Sequence, residues 1–187
     1  LGKDFACSIV YLFLMYYYTD VAGVPAAFVG TLFLVVRIID AVSDPVMGMI
    51  VDNTRSRFGK FRPWIVLGTV INSLALLALF SAHLFSGSQL LLFVTVTYIV
   101  WGLTYTIMDI PFWSMVPALS ARREERERLV VWPRLFASIA WTIVGTYGLA
   151  SIAFLGKGDE GRGFLLLSGL IIIAFLASAL ITFTQVK

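Results

Sequence analysis

Charge is what this chain has least of. Only 13% of its 187 residues are Asp, Glu, Lys or Arg, about half the share of a soluble globular domain, which excludes an ordinary water-facing surface. One cysteine, Cys7, leaves no intrachain disulfide to form. One histidine, His83, together with that lone thiol, excludes a zinc-type cluster of imidazoles and thiolates. His83 closes the third apolar run and is expected at the membrane interface rather than in a proton relay. Phosphate loops, dinucleotide fingerprints and nucleophile elbows are also missing. An enzyme, or a protein with a bound cofactor, is therefore not expected.

Hydrocarbon fills the space that charge vacates. Hydrophobic residues make up 59% of the chain and the mean hydropathy is +0.91, which marks an integral membrane protein. Six apolar stretches, near 4–22, 26–51, 64–85, 89–117, 129–155 and 164–184, each meet the requirement of about 20 residues for crossing a bilayer. The expected fold is all-α, six transmembrane helices in one domain over 1–187. Arg55, Arg57, Lys60 and Arg62 crowd the connection 52–63, and Arg122, Arg123, Arg126 and Arg128 the connection 118–128. The first and third connections hold no Lys or Arg, so these two basic loops and both termini are expected in the cytoplasm. Topology thus accounts for the basic residues, and a nucleic-acid partner is not indicated. The polar run 120–128 is expected to be a solvated connection, with a short surface helix at most.

Charges inside the spans follow an order. Lys3 and Asp4 lie in the first, Arg37, Asp40 and Asp44 in the second, Asp109 in the fourth and Arg134 in the fifth, with none in the third or sixth. Charged, charged, uncharged occurs twice. A three-helix unit repeated once has opposite orientation in its second copy, as in the inverted repeats of transporters. The third and sixth helices are then expected to face lipid, and the other four a central cavity.

A charge at the bilayer centre costs about 2.5–3.5 kcal/mol. Three of them at i, i+3 and i+7 on the second span fall within about 60° of one face. Arg37 can pair with Asp40 as structural glue, yet a second acid, Asp44, then stays unbalanced. Carboxylates of Asp40 and Asp44, with hydroxyls of Ser43 and Thr106, offer the oxygen ligands that a hard cation such as Na+ takes. Asp4, Asp40, Asp44 and Asp109 outnumber Lys3, Arg37 and Arg134 by one, which one monovalent cation or proton neutralises. Tyr105, Asp109 and Trp113 recur at i, i+4 and i+8, as Asp4, Ser8 and Tyr11 gather on the first span and Arg134, Ser138 and Trp141 on the fifth. Rings beside carboxylate and guanidinium groups suit a sugar better than a lipid or peptide.

Several blocks carry a family resemblance: Lys3-Asp4-Phe5-Ala6, Tyr16-Tyr17-Tyr18-Thr19-Asp20, Arg37 through Asp44-Pro45, Arg55-Ser56-Arg57-Phe58-Gly59-Lys60, Tyr105 through Ser114, and Pro133-Arg134. They resemble the glycoside–pentoside–hexuronide:cation symporters of the major facilitator superfamily, the melibiose carriers most of all. The resemblance implies symport of a galactoside with Na+, Li+ or H+ across a bacterial inner membrane. It also implies a cation site at Asp40, Ser43, Asp44 and Thr106, and a sugar site at Lys3, Asp4, Tyr11, Tyr105, Asp109, Trp113 and Arg134. The family has asparagine where this chain has Ser43, a shorter and weaker ligand, which leaves the coupling ion open. Members carry about twelve helices, so the chain is expected to be an N-terminal half completed by a C-terminal six-helix bundle. Open alternatives are a non-transporting sugar-binding module and a symporter for a glucuronide or pentoside.

Overall fold

The computed structural model describes residues 2–57, 59–119 and 122–185. Phe58, Ser120 and Ala121, which belong to the two expected basic connections, lie outside the described residues, as do Leu1, Val186 and Lys187. Six α-helices follow one another: α1 Gly2–Tyr16, α2 Ala26–Asn53, α3 Arg62–Leu79, α4 Gly87–Leu119, α5 Arg123–Gly156 and α6 Glu160–Gln185. Five of them, α2 to α6, are long and apolar enough to cross a membrane.

The first expected span departs from a regular helix. α1 is 15 residues long, about 22 Å at 1.5 Å per residue, and a π-helical turn, Tyr17–Val21, carries the chain onward. Ala22 N–H reaches back five residues to the Tyr17 carbonyl at 2.9 Å. The buried Tyr17 side chain anchors this turn. Its hydroxyl donates to the Phe80 carbonyl at 2.8 Å, accepts the His83 backbone N–H at 3.1 Å and meets His83 Nδ1 at 2.8 Å. A phenol has one proton, already given to Phe80, so Nδ1 must be the donor. His83 therefore clasps α1 to the end of α3, and its ring lies against Gly161, where a Cβ would approach to 2.7 Å.

The second difference lies at the basic connections. α2 continues to Asn53 and α3 starts at Arg62, while the expected loop 118–128 is mostly helix, because α4 runs to Leu119 and α5 begins at Arg123. Glu124 and Glu125 in the first turn of α5 complement its helix dipole. Arg122 and Glu125 approach to 3.7 Å. Good helix formers thus extend α5 beyond its apolar part into water.

Around the bundle, α2 packs on α4, α4 on α3, α3 on α6, α6 on α1, and α1 and α6 on α5. Small residues permit the close approaches. A Cβ at Gly68 would meet the Met108 backbone at 2.8 Å, and one at Gly163 the Ile152 carbonyl at 2.3 Å. Polar groups also bond across the bundle: Asn72, fully buried, donates from Nδ2 to the Trp101 carbonyl at 2.9 Å and to Thr104 Oγ1 at 3.0 Å, tying α3 to α4, while its Oδ1 has no hydrogen-bond partner among the described residues. α3 shows one outward side, with Leu67, Val70, Leu74 and Leu77 exposed. Because backbone blocks the space at Gly163, Gly163→Ala should destabilise the bundle by about 1–3 kcal/mol, read as a lowered thermal unfolding midpoint in detergent.

Candidate functional site

α1, α2 and α4 enclose a cavity of about 220 Å³. α2 supplies Arg37, Asp40 and Asp44, one turn apart; α4 supplies Trp101, Tyr105, Thr106 and Asp109; α1 supplies Tyr11. The three carboxylates thus share one hollow.

Each is differently partnered. Asp40 Oδ2 takes a long contact of 3.4 Å from Arg37 Nη1, while its buried Oδ1 has no hydrogen-bond partner among the described residues. That oxygen lies over Gly102, 3.4 Å from where a Cβ would stand. Arg37 is divided between acid and phenol. Its Nη2 donates to Tyr11 Oη, and the guanidinium sits 5.0 Å from the Tyr11 ring centroid. Asp44 Oδ1 accepts from the buried Thr106 hydroxyl at 2.9 Å. Asp109 is held by Lys3 at 2.5 Å, and the Lys3 ammonium lies 4.1 Å from the Phe112 centroid and 4.8 Å from that of Trp113.

Two cations, Arg37 and Lys3, therefore face three carboxylates, leaving one negative charge over. Backbone adds to it. Pro45 lies inside α2 and has no N–H, so the Ala41 carbonyl lacks its donor four residues on. Pro111 does the same to the Ile107 carbonyl on α4.

Of the residues singled out from sequence, Tyr11, Arg37, Asp40, Asp44, Tyr105, Thr106 and Asp109 line the cavity, and Lys3 reaches it through its ion pair. Four do not. Ser43 turns its hydroxyl to the Asp40 backbone carbonyl at 3.3 Å. Asp4, one residue past Lys3 and so about 100° around α1, lines a separate cavity of about 80 Å³ with Lys3, Thr69, Ser178 and Thr182. Trp113 is 36% exposed, edge-on to Phe112 and 4.8 Å by its ring centroid from the Lys3 ammonium. Arg134 is exposed on α5, which makes little contact with α4.

Trp101 was not anticipated. It is buried, stacked between Tyr98 at 6.0 Å and Tyr105 at 5.5 Å, with the Tyr11 ring edge-on at 6.2 Å. The signal existed. Trp101, Tyr105 and Asp109 follow i, i+4, i+8 spacing, one turn earlier than the stripe that ends at Trp113.

Known proteins bear on this site. The model of the MFS/sugar transport protein family matches residues 1–187. The candidate glycoside/cation symporter YagG of Escherichia coli (strain K12) is 38% identical over 86% of the chain and 36% of its own length. The inner membrane symporter YicJ of the same strain is 33% identical, over 93% and 37%. The isoprimeverose transporter of Lactiplantibacillus pentosus is 32% identical, over 99% and 40%. The chain thus spans less than half the length of the relatives it matches. With a charged cavity between α1, α2 and α4 of a helical bundle and a family match along its whole length, the chain belongs to the MFS/sugar transport proteins.

Proposed function

We propose that the chain is the N-terminal six-helix bundle of a secondary active symporter, which moves a galactoside-type sugar together with Na+, Li+ or H+ by alternating access. One observation carries the reading: Asp40, Asp44 and Asp109 share a cavity that keeps one negative charge over its cations. The proposed cation ligands are Asp40, Asp44 and Thr106. Among the described residues no three His, Cys, Asp or Glu side chains gather closely enough to hold a metal ion. Two carboxylates and a hydroxyl suit an alkali ion in transit rather than a resident metal.

In the same reading Asp109 anchors the sugar hydroxyls, with Tyr105 and Tyr11 as flanking rings. Ser43, Asp4, Trp113 and Arg134 stay in the proposed sites on the strength of the family resemblance alone. A C-terminal bundle supplies the opposite wall. It would cover α2, whose Leu34, Ile38, Val42 and Met49 are each more than half exposed. The two basic connections support an inner-membrane orientation with the N-terminus in the cytoplasm. A cation that relieves repulsion among the carboxylates strengthens sugar binding, and sugar must strengthen cation binding by the same factor.

A relative named isoprimeverose transporter over 99% of the chain, and another named glucuronide carrier protein homolog, favour a second reading in which the sugar is a pentoside or glucuronide. A non-transporting sugar-binding module differs from both by binding sugar without exchanging it across vesicles in counterflow.

Three measurements on the transporter that contains this bundle bear on these assignments. Asp44→Cys should abolish the stimulation of galactoside binding by Na+ or Li+; full stimulation in reconstituted vesicles refutes the cation site. Asp109→Ala removes a charged hydrogen-bond acceptor worth about 1.5–3 kcal/mol per bond, so calorimetry should show galactoside affinity falling at least tenfold. Counterflow of labelled galactoside, with xyloside and glucuronide as competitors, should separate the substrate readings, and complete absence of exchange sinks transport itself.

A further inference from the structure

The charged cavity opens past its α1 wall. At about 220 Å³ it is smaller than the roughly 300–1,000 Å³ that holds a drug-sized ligand. One sugar ring fits such a hollow, and a glycoside with a second ring must reach out of it. α2 and α4 form two walls, and Tyr11 of α1 stands at the third, with 46% of its surface exposed.

Beyond Tyr11 lies Trp141 of α5. The two ring centroids are 6.0 Å apart with planes tilted by 35°, and Trp141 is itself 37% exposed. Toward the cavity, Tyr11 meets the buried Trp101 ring edge-on at 6.2 Å and accepts from Arg37 Nη2. Tyr11 thus has the charged hollow on one side and an open indole on the other.

Helix geometry fixes which way that indole stands. Gly148, two turns after Trp141 and about 20° from it around α5, lies so close to α1 that a Cβ would meet the Phe13 ring at 2.5 Å. Trp141 therefore stands on the α1 side of its helix. Trp132 lies about 180° and Phe136 about 140° away from it, and those two pair with each other at 6.3 Å. The aromatic residues of α5 divide between two faces, and Trp141 belongs to the one that meets the site.

We propose that Trp141 is a specificity-determining residue: it takes the second ring of a glycoside whose first ring occupies the Asp40–Asp109 cavity, and so favours two-ring glycosides over simple sugars. The inference rests on the symport reading and adds to it the length of the substrate. A flat indole packs on the C–H face of a sugar or offset on an aromatic aglycone. With Tyr11 alongside, it extends the site from three helices to four.

Calorimetry on the transporter that contains this bundle, with methyl and 4-nitrophenyl glycosides of galactose, xylose and glucuronic acid, tests the proposal. For the sugar that binds, the wild type should prefer the nitrophenyl glycoside. Trp141→Ala should cut that preference about fivefold, the contribution of one aromatic contact, and Trp141→Phe should keep most of it. Trp132→Ala, on the opposite face, should leave the preference as it was. Trp141→Leu repeats the test should the alanine variant fail to fold, as read by thermal unfolding. A wild type without the preference, or a folded variant that retains it in full, overturns the proposal and leaves the symport reading in place. So does an equal loss for both glycosides, which makes Trp141 mere packing for Tyr11. Failure of every glycoside to bind the wild type removes the symport reading, and the proposal with it.

Discussion

Polarity inside hydrocarbon must find its partners within the protein, and that constraint organises this bundle. Most hydroxyls meet it locally. Thr69, Ser73, Thr97, Thr104 and Thr142 each donate to a carbonyl one turn back in their own helix. The Asn72 amide N–H groups meet it across helices. Where the requirement goes unmet among the described residues, at Tyr18 Oη, Asn72 Oδ1, Trp101 Nε1 and Asp40 Oδ1, only the last is a carboxylate oxygen, and Asp40 lines the cavity beside Asp44. Carboxylates with spare lone pairs in a low dielectric bind cations strongly, so the same deficit favours an incoming positive charge.

The helices do not share burial evenly. α3 is held by α4 and α6 and carries the glycine and asparagine contacts that let helices approach closely. α2 touches mainly α4, and α5 leaves Trp132 and Tyr147 more than 60% exposed. The charged cavity therefore lies beside the least enclosed helix. A site walled on one side by a loosely covered helix has room for a ligand to change its surroundings.

Much of this was legible in the sequence. Apolar runs of spanning length locate the helices, since few other structures satisfy the backbone in a bilayer. The meeting of Asp40, Asp44 and Asp109 follows from the cost of isolating each one in lipid. The boundary at Arg123 does not, because membrane hydropathy says nothing about a helix that continues into water. Arg134 and Asp4 show a deeper limit: angular arithmetic on one helix fixes which residues share a face, but not which neighbour that face meets. Trp101 falls between these cases, for its spacing to Tyr105 and Asp109 was plain although it carries no charge to draw attention.

The histidine clasp at the end of α1 has a consequence of its own. Tyr17 has already committed its proton to Phe80, so His83 serves it only through Nδ1–H and the backbone. Three bonds that converge on one phenolic oxygen fasten two helix ends at a single point, so the corner between α1 and the end of α3 is set by one side chain.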